Sequence, residues 1–208
     1  MYLLLTIALI AVTVFYAVFP KFRKLREKNF TLTNFIITLV ATGAGVFLAL
    51  YFSNIEEKHK EKANAVKILS VSDAELNGNM ARIESAMAKI QMIDDSTYTF
   101  DDYIEIYKLE KEFNLNSLVN NSVVMRNLSA YGMISFTVRN DNTMYAFKQL
   151  NLSIRKGKIA YANALLIYWE HLEIIGRIIK LEQEYIQGNV SSKNMIEKYA
   201  VIENESKR

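Results

Sequence analysis

The sequence predicts an all-α protein: a two-span transmembrane hairpin at the N-terminus, followed by an antiparallel helical bundle with coiled-coil-like helices. Three observations predict it. Residues 2–19 and 31–52 form two apolar runs without one charged residue. Beyond residue 53 the apolar residues recur with helical period. The whole chain of 208 residues holds one proline and seven glycines, little of the punctuation that interrupts long helices. The expected organisation is an anchor over residues 1–53 and a bundle domain over 54–208.

The first run, YLLLTIALIAVTVFYAVF, has 18 residues and the second, TLTNFIITLVATGAGVFLALYF, has 22. A membrane span needs about 20 residues, so both qualify by length. Phe15, Tyr16 and Phe19 close the first run, and Tyr51 and Phe52 close the second, as an interfacial aromatic belt would. A cleaved signal peptide requires a basic start and a small-x-small cleavage site. Met1 leads straight into apolar residues and AVFPKF offers no such site, so the first run reads as a retained span.

The connector PKFRKLREKNF (20–30) is too short to fold, which makes the two spans antiparallel. It carries Lys21, Arg23, Lys24, Arg26 and Lys28 against Glu27, a net charge of +4. The segment after the second span, SNIEEKHKEKANAVK, has four lysines diluted by three glutamates. The positive-inside rule then expects a cytoplasmic connector in a bacterial inner membrane, with the bundle on the outer face. Within the second run, Ala41, Gly45 and Ala49 stand four residues apart on one helix face. Such small-xxx-small stripes let helix backbones approach closely in lipid, and Gly43, off the stripe, is expected to fit against the first span. Neither run holds Asp, Glu, Lys, Arg or His, which argues against proton relays and ion-coupled transport within it.

In the remainder, Leu69, Leu76, Ile83 and Ile90 repeat every seven residues, with Ala65, Ser72, Met80 and Met87 at most alternate positions. This is an a/d seam, on a helix that continues from the second run to about residue 92. IDDSTYTFDD (93–102) breaks it, and Thr99 with Asp102 reads as the capping box of a helix through about residue 113. Val124, Leu128, Tyr131 and Val138 fit a further helix, although MISFTV is strand-like, and RNDN (139–142) reads as a turn.

The strongest periodicity runs over 143–187. Ile154, Tyr161, Tyr168 and Ile175 form one seven-residue series; Leu165, Leu172, Ile179 and Ile186 form the other. Ile174, Ile178, Leu181 and Tyr185 add a second apolar face. Gly157, inside RKGK, marks a kink or the true start of this helix, and QGN (187–189) supplies the glycine after its end. A short last helix over 192–203 carries Met195, Ile196, Tyr199 and Ile202. Short connections between such helices imply an antiparallel bundle.

Composition removes several functions. There is no cysteine, hence no disulfide, thiolate chemistry or cysteine metal site. The overall charge of +3 comes from the connector, because residues 53–208 hold 20 Lys+Arg against 21 Asp+Glu. No basic stripe interleaves with aromatics, so nucleic acid is not an expected partner.

Asp94, Asp95, Asp101 and Asp102 lack the alternating ligands and central glycine of a calcium loop and read as a capping turn. YWEHLE (168–173) gathers Glu170, His171 and Glu173, but Tyr168 stands where a Glu-x-x-His metal motif needs its glutamate. No phosphate loop, nucleophile elbow, dinucleotide fingerprint or H-E-x-x-H occurs.

The sequence therefore predicts no catalytic, cofactor-binding or metal residues, and no enzyme. The expected partners are the lipid bilayer and either copies of this chain or another subunit. The expected role is structural, scaffolding or sensory, through protein–protein or self association. A pore-forming or membrane-perturbing effector is the first alternative. A small-molecule sensor with a bundle pocket lined by Tyr161, Tyr168 and Trp169 is the second.

Overall fold

A computed structural model describes residues 2–22, 30–92, 104, 108–109 and 112–205. Among these residues the chain is helical, with no strand. The α-helices are α1 (Tyr2–Val18), α2 (Phe30–Met92), α3 (Asn116–Val119), α4 (Ser122–Asn127), α5 (Ala130–Ser153), α6 (Lys158–Ile186) and α7 (Ser192–Glu205). Short 3-10 turns cover Pro20–Phe22 and Ile154–Lys156. The chain divides into two compact units, Met1–Lys60 and Glu61–Arg208, and α2 contributes to both.

In the first unit, one helix is long and apolar enough to cross a membrane. It is α2, whose most apolar 18-residue window has a mean hydropathy of 2.2 and is 6% buried. The expected pair of spans is thus met by one candidate. α1 is apolar throughout but has 17 residues. At 1.5 Å per residue that is about 25 Å, at the short end of what a span needs.

The second unit has its own core. Along α2, Ala65, Leu69, Ser72, Leu76, Ile83, Ala86 and Ile90 are buried, which is the alternating 4-3 spacing of a seam. The series alternating with Leu69, Leu76, Ile83 and Ile90 runs through Ala65, Ser72, Asn79 and Ala86. Met80 and Met87, expected in it, flank the seam half-buried.

Opposite lies α6, whose direction follows from three contacts. Gln183 Nε2 donates to Ser70 Oγ at 3.0 Å, Trp169 Nε1 donates to Glu84 Oε1 at 3.0 Å, and Gly176 faces Leu76. As α2 advances from Ser70 to Glu84, its α6 partners retreat by the same number of residues, so the two run antiparallel. A Cβ on Gly176 would stand 2.9 Å from Leu76 Cδ2, and the bare backbone is what admits that leucine.

Two boundaries differ from the sequence reading. RNDN is helical and lies inside α5, with Arg139, Asn140 and Thr143 buried. Its buried polar groups, Arg139 and Asn140, have partners that a turn would have left to water. Asn140 Nδ2 donates to Asn116 Oδ1 at 3.0 Å, Thr143 Oγ1 donates to the Arg139 carbonyl at 2.7 Å, and Arg139 pairs with Glu203 at 2.7 Å. The break falls earlier, at Leu128 and Ser129, both extended between α4 and α5.

The long 143–187 element is divided at Gly157, whose φ of +93° only glycine adopts without strain and which starts α6. α6 ends in a Schellman motif. Gly188 (φ +83°) donates its N–H to the Tyr185 carbonyl at 3.0 Å, and Asn189 donates to the Glu184 carbonyl at 2.9 Å. α5 and α6 make the most extensive helix pair of the second unit, and α7 packs on both.

The expected Thr99–Asp102 capping box, with Asp94, Asp95 and Asp101, lies outside the described residues. Its helix does not extend to residue 113, because Lys108, Leu109 and residues 112–114 are irregular. Lys108 still bonds back to the Ile104 carbonyl at 2.8 Å, and beyond it the backbone turns to side-chain partners. The Phe113 N–H donates to the Tyr168 hydroxyl at 3.0 Å, and the Leu109 backbone bonds the Tyr161 hydroxyl.

Candidate functional site

The most unusual group in the second unit is Glu182, a fully buried carboxylate on α6. It accepts the Ser129 N–H on Oε2 at 2.8 Å, the Ser129 hydroxyl on Oε1 at 2.5 Å and the Tyr199 hydroxyl on Oε1 at 2.8 Å. Ser129 is the N-cap of α5 and accepts the Gly132 N–H at 2.9 Å. The carboxylate therefore sits at the N-terminus of a 24-residue helix, where orphan amides and the helix dipole favour negative charge.

Gly132 makes this possible. A Cβ there would lie 2.4–2.8 Å from the Glu182 carboxylate atoms. Tyr199 brings α7 to the same point and stacks on Tyr131, with ring centroids 5.9 Å apart. Burial and the adjacent Glu182 charge push the Tyr199 hydroxyl far above its ordinary range, so it stays a donor.

On a neighbouring stretch of α6, an open cleft of about 320 Å³ lies among α5, α6 and α7. Arg139, Ile167, Glu170, His171, Glu173, Ile174, Arg177 and Glu205 line it. Arg177 pairs with Glu205, and Arg139 with Glu203. His171 Nδ1 is buried and has no hydrogen-bond partner among the described residues. Burial, then the Arg139 charge, lower the imidazole's pKa, and Glu170 opposes them. A neutral ring with one unmet nitrogen therefore faces two guanidiniums that already have carboxylates. Among the described residues no group of three or more His, Cys, Asp or Glu is arranged to hold a metal ion.

A third feature is the outward face of α5. Tyr131, Ile134, Val138, Asp141, Tyr145, Lys148 and Leu152 follow one another at spacings of three and four, and all are exposed.

The residues singled out in the sequence fall as follows. Leu69, Leu76, Ile83 and Ile90 on α2, and Leu165, Leu172, Ile179 and Ile186 on α6, are buried in one core. Tyr161 and Tyr168 are buried there too, and neither is among the residues that line the cleft. Burial, opposed by the Phe113 amide, raises Tyr168 to about 12. Ala41, Gly45 and Ala49 are exposed on α2 and Gly43 is half-buried; a Cβ on either glycine meets nothing within 4 Å. The buried small residue of that stretch is Ala44. Lys21 lies in the 3-10 turn, whereas Arg23, Lys24, Arg26 and Lys28 lie outside the described residues.

The sequence reading gives Glu182 and Arg177 no role, places Arg139 in a turn and takes Tyr199 only as an apolar position of the last helix. The signal for Glu182 was present: the series Ile154, Tyr161, Tyr168, Ile175 continues seven residues on to Glu182, a charge at a core position. No protein-family model, curated protein or solved structure matches this chain.

Proposed function

We propose that this chain is a bilayer-anchored helical interaction protein, a structural or sensory subunit that works by binding another protein or copies of itself. One observation carries the reading. The apolar stretch of α2 is left uncovered by the rest of the chain, with 6% of its most apolar window buried, while residues 61–208 have a separate, well-packed core. An apolar segment that nothing in the protein covers is suited to lipid. In this reading α1 and the first part of α2 form the membrane hairpin, with the basic connector in the cytoplasm and the bundle on the outer face of a bacterial inner membrane. The ion pairs and hydrogen bonds of the bundle tie helices together, and the contact between the Glu182 carboxylate and the Ser129 hydroxyl is buried among them.

Membrane fractionation with alkaline washing tests the anchor: the chain is expected to remain in the pellet, and release into the supernatant would refute it. The absence of native cysteine lets a single Ser192→Cys variant report topology. The expected result is labelling by a membrane-impermeant maleimide on intact spheroplasts. Labelling only after lysis would reverse the orientation. Chemical crosslinking in native membranes is expected to trap a partner or a homo-oligomer, and a strictly monomeric, partnerless chain would overturn the interaction role.

A further inference from the structure

The outward face of a bundle helix is ordinarily polar. α7 largely follows that rule, exposing Lys193, Asn194, Glu197 and Lys198 along with Ile196 and Val201. α5 does not. Tyr131, Ile134, Val138, Tyr145 and Leu152 are between 42% and 64% exposed. With Asp141 and Lys148 they fill seven consecutive a/d positions, a stripe about 32 Å long at 1.5 Å per residue. Neither Asp141 nor Lys148 has an ion-pair partner among the described residues.

The order of these side chains identifies what fits the stripe. Val138 and Leu152 lie seven residues to either side of Tyr145, Asp141 lies four before it and Lys148 three after it. A two-fold axis through Tyr145 therefore sets Tyr145 on Tyr145, Val138 on Leu152, and each Asp141 within one residue of the other chain's Lys148. The pattern is self-complementary, and it is so in one orientation. Parallel pairing would set Asp141 on Asp141 and Lys148 on Lys148, and like charges in contact across an interface are destabilising. A closed two-fold contact of this kind also limits assembly to a dimer.

We infer that the Val138–Leu152 part of the α5 stripe is a homodimer interface, closed by antiparallel pairing with the α5 of a second copy about Tyr145. This rests on the interaction reading above and names its partner as the chain itself. The two symmetry-related Asp141–Lys148 pairs set the orientation, and the apolar residues supply the contact.

The experiment uses the full chain in detergent and in lipid nanodiscs, with sedimentation to measure self-association. Asp141→Lys and Lys148→Asp are each expected to weaken the dimer by about tenfold, since each turns two attractive pairs repulsive. The double exchange D141K/K148D is expected to restore it. Both positions are exposed, so thermal melting is expected to stay unchanged in all three variants. For geometry, differently tagged chains carrying Asp141→Cys and Lys148→Cys are mixed and oxidised, and the mixed disulfide is expected to dominate over either like pair. Like-pair disulfides would overturn the antiparallel arrangement. A dimer unmoved by the charge exchanges would overturn this interface while leaving the interaction reading standing. A monomer with a different protein crosslinked at a Tyr145→Cys thiol would overturn the second copy as occupant. A monomer with no partner at all would overturn both.

Discussion

Glu182 and His171 stand eleven residues apart on α6, three turns along, and so face the same side of the helix. Both contribute buried polar atoms, yet their circumstances are opposite. Glu182 meets a backbone N–H and two hydroxyls, whereas His171 Nδ1 meets nothing among the described residues. The difference comes from what arrives opposite each. Ser129 brings the open N-terminus of α5, a place short of acceptors, against Glu182. Around His171 arrives Arg139 of α5, which with Arg177 of α6 itself is a donor already committed to a carboxylate. A buried polar group is thus stable where a neighbouring element has the complementary deficit, and costly where it has none.

The largest expected effect breaks the satisfied side of that comparison. Glu182→Ala leaves the Ser129 N–H, the Ser129 hydroxyl and the Tyr199 hydroxyl buried without their acceptor, and removes packed methylenes as well. A loss of about 3 kcal/mol or more is expected. Chemical denaturation checks it, as a lowered midpoint with an unchanged slope; a change below about 1 kcal/mol would mean that water already serves these donors.

The next prediction tests whether Gly132 is there for Glu182 and not for flexibility. In the natural chain, Gly132→Ala drives a methyl into the carboxylate and is expected to cost about 2 kcal/mol, as overpacking does. In a Glu182→Ala background the obstacle is gone. Alanine then gains about 0.5–1 kcal/mol over glycine in the helix. The substitution should therefore reverse sign, and a double-mutant cycle measures the coupling directly. Equal costs in both backgrounds would locate the constraint elsewhere.

How much of this was legible beforehand follows from period and distance. The α2 seam and the two α6 series are one-dimensional patterns, and a periodicity of seven reveals them without any knowledge of partners. RNDN misled for the complementary reason: its composition is that of a turn, and only Asn116 and Glu203, far away in sequence, make those side chains buriable. The helix expected from Val124 through Val138 hid its break at Ser129, because Leu128 and Tyr131 keep helical spacing across it. What selects that break is Glu182, 53 residues later. The glycines of α2 show the converse. Ala41, Gly45 and Ala49 do share a face, but nothing among the described residues occupies it, and spacing alone does not supply an occupant.

On the exposed side of the comparison, effects shrink. The Arg177 and Glu205 side chains are 35% and 50% exposed, so water and salt share their attraction. Arg177→Ala is expected to cost less than about 0.5 kcal/mol at low salt, and less still at high salt. A larger, salt-independent loss would mean that the guanidinium stem packs the cleft instead of pairing its charge.

His171 gives the smallest effect and the one with a definite sign. Its folded pKa lies below the ordinary 6.5, because burial and Arg139 disfavour the cation more than Glu170 favours it. Above pH 6.5 both folded and unfolded chains hold a neutral ring, and the group contributes its full stability. As pH falls through 6.5 the unfolded chain takes up a proton that the folded chain declines, so stability drops. Arg177, Glu173 and Glu205 also line the cleft beside it. His171→Gln keeps a polar side chain of similar reach and removes the titration. The difference in unfolding free energy between the two proteins is therefore expected to be flat above pH 6.5 and to turn against the natural chain between pH 6.5 and about 5, where carboxylates are not yet protonated. His59 is present in both proteins and cancels in the difference. If the difference moved the other way, with the natural chain gaining on acidification, the imidazolium would have found an acceptor in Glu170 or Glu173. The unmet nitrogen would then be a proton-binding position and not a cost.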